Sequence, residues 1–132
     1  MKPTAILIAR LIFALDFAMA AAFKFVFIGM AATAGQIAAA GFPFPLFLAW
    51  VAAFFETALA IAFLTGLFFR QAAVVSIAYV LFLGFSFHGP DRWGSNPMEF
   101  GFFVDHFIFV AGLLFAAVHG PGDRLVLGRR ST

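Results

Sequence analysis

Four apolar stretches, each long enough to cross a bilayer, set the limits on what this sequence can fold into. The first runs from about Ala5 to Ile28 and contains Arg10, Asp16 and Lys24. The second, Leu46 to Leu64, has a single charge, Glu56. The third, Gln71 to Phe87, is charge-free, and the fourth, Phe100 to Val118, has Asp105 and His106 near its start. At about 1.5 Å per residue, a helix of each length spans a hydrocarbon core about 30 Å thick. Lipid offers no hydrogen bonds to the backbone, so a spanning segment must satisfy its own amides. The alternation of a membrane barrel strand is absent. The fold expected is all-α: a polytopic membrane protein in which four transmembrane helices form a bundle.

Composition closes the other routes. Of the 132 residues, 64% are hydrophobic and 11% are charged, where a soluble domain carries about 25% charged residues. So little polar surface cannot cover a globule in water. A soluble enzyme, a disordered region and a nucleic-acid-binding module are therefore excluded. With no cysteine there is no disulfide, no thiolate-ligated cluster and no covalently attached c-type haem.

The connections divide one domain, residues 1–132, into four spans and a tail. Residues 29–45 are rich in Gly and Pro, with an Ala-rich stretch suited to a short interfacial helix. Thr65–Arg70 turns around Gly66, and His88–Met98 holds Gly89-Pro90, Trp93-Gly94 and Asn96-Pro97. A tail over 119–132 opens on Gly120-Pro121-Gly122 and ends near Arg129 and Arg130. Lys2, Arg10, Arg70, Arg124, Arg129 and Arg130 fall on one side of the membrane, against Lys24 and Arg92 on the other. That asymmetry places both termini in the cytoplasm. A cleaved signal peptide would use Lys2 and the Ala18-Met19-Ala20 segment, but Arg10 and Asp16 interrupt its apolar region. Phe25–Gly29 and Phe85–Gly89 echo each other, at a level chance accounts for in so Phe-rich a chain.

Several charges have no topological reason for their position. An ionisable group inside lipid costs about 2.5–3.5 kcal/mol on insertion scales and usually faces other helices or a cavity. Asp16, Glu56 and Tyr79 fall near the middles of their spans, and Asp105 and His106 slightly outward of the middle. Lys24 falls about two turns further out than Asp16. Burial disfavours the charged carboxylate, and a nearby Lys24 or Arg10 favours it. Such a cluster can hold an amphipathic ligand, pass a proton, or tie helices together at about 0.6 kcal/mol per interhelical bond. Asp16, Lys24, Glu56, Tyr79, Asp105 and His106 are the candidate ligand-binding residues. Arg10 and Arg70 are expected to be interfacial anchors.

No metal site is expected. Glu99 and His106 share a helix face with His88 at the end of the neighbouring span, but the spacing is not diagnostic. His88 is expected about 10 Å outward of His106, which argues against bis-histidine haem. The 22 phenylalanines suit lipid contact, helix packing or a flat aromatic-lined pocket. Trp50 and Trp93 fit an interfacial belt. Ala14, Ala18 and Ala22 recur at helical spacing and permit close helix approach, including self-association.

The order of landmarks resembles the DoxX family. Arg10 opens the first span, Phe23-Lys24 stands near its far end, and Pro45 precedes the second. Glu56, the Gly66…Arg70 turn, His88 and Gly120-Pro121-Gly122 follow. The resemblance covers nearly the whole chain. Ala21-Ala22 stands where the family often has a small glycine, and Asp123–Leu127 where Ser-Leu-Asp is usual. What the resemblance implies is a four-helix protein of the prokaryotic cytoplasmic membrane. Some members are linked to quinone-dependent sulfur oxidation and others to oxidoreductase complexes in oxidative-stress defence. The wider fold group is similar to sterol-isomerase and sigma-2-receptor-like proteins, an analogy of fold alone.

The expected function is thus a membrane subunit that binds a quinone or similar amphipathic molecule and works with an oxidoreductase partner protein. The chain carries no evident redox centre of its own. The alternatives are a structural or assembly protein, and a small-molecule or proton transporter that works as a homo-oligomer.

Overall fold

Each apolar stretch is helical in the computed structural model, which describes residues 1–128. Helix α1 (Lys2–Ala22) has Pro3 in its first turn, where a missing N–H leaves nothing unsatisfied. It runs directly into a π-helical turn, Phe23–Phe27, where the Ile28 N–H donates to the Phe23 carbonyl five residues back at 2.9 Å. The Ala-rich segment that follows forms α2 (Gly29–Ala39). Pro45 opens α3 (Pro45–Thr65), which ends on Gly66 in the left-handed conformation, φ 76°. Helix α4 (Phe69–His88), the single turn α5 (Pro90–Trp93) and α6 (Met98–His119) follow, and among the described residues the tail after them is non-helical. Four helical stretches are long and apolar enough to cross a membrane: Lys2–Phe27, Pro45–Thr65, Phe69–Trp93 and Met98–His119. Among the described residues there is no strand. The protein is an all-α, multi-pass membrane protein.

Two compact units divide the chain: Met1–Leu67 together with the segment from Pro121 onward, and Phe68–Gly120. In the first, α1 and α2 both pack against α3. Phe17 lies parallel to Phe63 with ring centroids 5.7 Å apart, and Phe13 tilts against the same ring at 5.4 Å. Phe63 is fully buried, so these contacts hold α1 along α3. The tail returns to this unit, where the Leu127 N–H donates to the Thr65 carbonyl at 2.9 Å.

In the second unit α4 packs against α6. Phe85 meets Phe103 edge-on at 5.0 Å, the geometry that aromatic quadrupoles favour. Arg70, at the start of α4, donates to the carbonyls of Ala117, Val118 and His119 at 3.2, 2.9 and 3.4 Å. These are carbonyls that the end of α6 leaves without intrahelical partners, and a cation there also suits the helix dipole. Arg70 is exposed. Arg129 and Arg130 lie outside the described residues.

Candidate functional site

The buried carboxylate of the second span has found a partner. Glu56, only 2% exposed, lies on α3 with its Oε2 2.8 Å from Lys24 Nζ. Lys24 Nζ also donates to Glu56 Oε1 at 3.0 Å and to the Ala20 carbonyl at 3.3 Å. The π-helical turn delivers this contact. A π turn inserts extra backbone into a helix and rotates the side chains on it relative to an ideal α-helix. Lys24 is the second residue of that turn. Its side chain keeps 20% of its surface accessible, whereas that of Glu56 keeps 2%. Of the two charged groups, the ammonium is the more accessible. A lysine has three N–H donors, and three acceptor oxygens surround Nζ: the Ala20 carbonyl and both oxygens of the Glu56 carboxylate.

An aromatic group lies in the same unit. Phe25, the residue after Lys24, contacts Trp50 at 5.9 Å and Phe54 edge-on at 5.5 Å, and Trp50 stacks on Phe54 at 6.0 Å. All three rings keep exposed faces.

The other candidate residues are distributed differently. Asp16 and Asp105 are exposed, and Tyr79 is half-buried. His106 is half-buried on α6, with Nδ1 2.7 Å from the Phe102 carbonyl one turn back. Its ring lies 5.3 Å, centroid to centroid, from that of His88. This corrects the expected 10 Å separation. Counting rise along each axis places Cα atoms, but side chains lean toward the N-terminus of their own helix. On two oppositely directed helices, His88 at the end of α4 and His106 on α6 lean toward each other. Gly84 permits the approach, because a Cβ there would lie 3.1 Å from His106 Cβ. His88 Nδ1 in turn pairs with the Glu99 carboxylate, and Trp93 Nε1 donates to the His88 carbonyl at 2.9 Å.

Arg10 is the second correction. Expected to reach the interface, it is instead 1% exposed. Its guanidinium donates to the carbonyls of Pro121, Leu64 and Leu125 at 3.0, 3.4 and 2.7 Å. The tail folds over it, with Arg124 donating to Thr4 Oγ1 at 3.2 Å. Arginine suits the position because its planar fork reaches several carbonyls at once. Sequence reasoning also left His88 and Glu99 out of the candidate residues. Their signal was the pairing of a histidine at one span's end with a carboxylate at the start of the next.

The family model described as DoxX matches residues 5–89, more than half of the chain. The matched segment contains Arg10, Lys24, Glu56, Gly66, Arg70 and His88, and stops before α6. No curated protein matches the chain, and no solved structure matches it.

Proposed function

The chain belongs to the DoxX family, and from that premise we propose that it is a membrane subunit binding a quinone or similar amphipathic molecule beside an oxidoreductase partner. The observation that carries this reading is the Lys24–Glu56 pair. A buried carboxylate is retained within a membrane helix, with its ammonium partner set on a π turn and left partly accessible. π turns inside helices are frequent at functional sites, and intramembrane ionisable groups commonly mark ligand or proton pathways.

The chemistry suits a quinone headgroup. Its carbonyl oxygen accepts from the Lys24 ammonium in place of the longest of the three present contacts, the Ala20 carbonyl at 3.3 Å, and its flat ring matches exposed aromatic faces such as those of Phe25, Trp50 and Phe54. Reduction to the quinol takes two electrons, which come from the partner protein, and two protons, which come from solvent; Lys24 and Glu56 orient the ring oxygen that receives them. The lysine and arginine asymmetry supports a cytoplasmic-membrane setting with both termini inside. A structural role is the second reading, favoured by the way Lys24 and Glu56 satisfy each other across two helices.

Titration of the purified protein in detergent with a short-chain ubiquinone and a short-chain menaquinone, followed by Trp50 fluorescence in a Trp93→Phe background, separates the two. Glu56→Gln is expected to weaken quinone binding at least tenfold. Equal affinity in a folded Glu56→Gln protein would leave the structural reading.

A further inference from the structure

In the unit formed by α4 and α6, two imidazoles present the same unused atom. His106 Nδ1–H donates to the Phe102 carbonyl, and His88 Nδ1–H donates to the Glu99 carboxylate. With Nδ1 protonated, a neutral imidazole carries its lone pair on Nε2. In the neutral form of each ring, Nε2 is therefore the nitrogen with the free lone pair. This arrangement recurs in metal proteins, where a ligating histidine gives its other N–H to a carboxylate or a carbonyl. His106 packs closely on α4 at Gly84, where a Cβ would lie 3.1 Å from its Cβ, 3.2 Å from Cγ and 3.5 Å from Cδ2.

The ring spacing suits a shared ion. An ion about 2.0–2.1 Å from each Nε2 lies about 3.2 Å from each ring centre, so a tetrahedral angle sets the centres about 5.2 Å apart. The observed separation is 5.3 Å, with the ring planes inclined at 44°. His88 keeps 28% of its side-chain surface accessible, which leaves an entry path. Gly84 holds the register, since a side chain there would push His106 away.

We propose that His88 and His106 bind a borderline divalent transition metal ion, Zn2+ or one of similar preference, through their Nε2 atoms, with Glu99 as the positioning residue for His88. Among the described residues no group of three or more potential ligand side chains converges. The protein therefore fills two positions, and solvent or a small ligand takes the others. The ion is bound in a different unit from Lys24 and Glu56, so this inference stands apart from the quinone reading.

Metal-free protein in detergent, titrated with Co2+ and with Zn2+, tests it. Co2+ is expected to give the intense visible absorption of a tetrahedral or five-coordinate nitrogen-containing site, and Zn2+ is expected to displace it. His88→Gln and His106→Gln should each weaken binding more than tenfold, Glu99→Gln about 10–100-fold, and His119→Gln not at all. Absence of Co2+ and Zn2+ uptake at sub-millimolar concentration would overturn the proposal, as would equal uptake by His88→Gln and His106→Gln. If His88→Gln fails to fold, His106→Gln, whose Nδ1 bond is local to α6, decides alone.

Discussion

Lys24 closes on Glu56 from a π-helical turn, its Nζ within 3.0 Å of both carboxylate oxygens. Two charges that would each be costly in lipid thus neutralise one another inside one pair of packed helices. Leaving one without the other strands an uncompensated buried charge, whereas removing both leaves apolar surfaces that pack.

Lys24→Leu or Glu56→Leu alone is expected to destabilise the protein by about 3–5 kcal/mol, with the double variant well below the sum of the two. Unfolding in a graded mixture of denaturing and mild detergent measures all four corners of the cycle. Strict additivity would mean that the two side chains are not coupled.

Arg10→Lys keeps the charge but not the fork. One ammonium cannot reproduce the spread of bonds to Pro121, Leu64 and Leu125, and a hydrogen bond to a charged group contributes about 1.5–3 kcal/mol. Tail release should follow, read as at least tenfold faster trypsin cleavage after Arg124. An unchanged cleavage rate would show that the tail holds without this clasp.

Gly66 and Gly35 should respond to alanine with opposite signs. Gly66 has φ 76°, and a Cβ there would lie 3.1 and 3.3 Å from the two Val126 methyls. The left-handed conformation costs a non-glycine residue about 1–2 kcal/mol. Faster hydrogen exchange at the Leu127 amide, bonded to Thr65 O, is the local sign to look for. Gly35, inside α2 with nothing within 4 Å, should gain about 0.5–1 kcal/mol on conversion to alanine. A loss at Gly35 would count against the open environment of that face.

Arg70→Gln removes the cation from the last turn of α6. Three carbonyl acceptors lose their donor, and a cost of about 1–2 kcal/mol is expected. The change should raise amide exchange at the end of α6 more than at its start. Uniform protection along α6 would place the helix end's stability elsewhere.

The site was legible as residue types more than as partners. Glu56 announced itself, being the single charge in its span, and Lys24 was among the groups weighed beside it. The π turn that joins them left no mark in a run of phenylalanines, since Phe23–Phe27 reads as continuous helix by composition. Arg10 was placed at the interface because an arginine near a span's end usually reaches water. Nothing local to it signals a tail 111 residues away folding back to supply a carbonyl. His88 and His106 were separated by counting rise alone, which ignores the direction in which side chains lean.

What the sequence determined by itself is the number of spans, their helical state and approximate ends, and the family. These follow from short-range physics: apolar runs of membrane length, backbone groups that lipid forces to bond within the segment, and Gly and Pro at the turns. What only the tertiary structure decided is which polar groups meet. That depends on the rotation of each helix about its axis, on one π turn, on the lean of side chains along opposed helices, and on the return of the tail over Arg10. Each is fixed by contacts between residues far apart in the chain, and the spacing of charges within one span does not encode them.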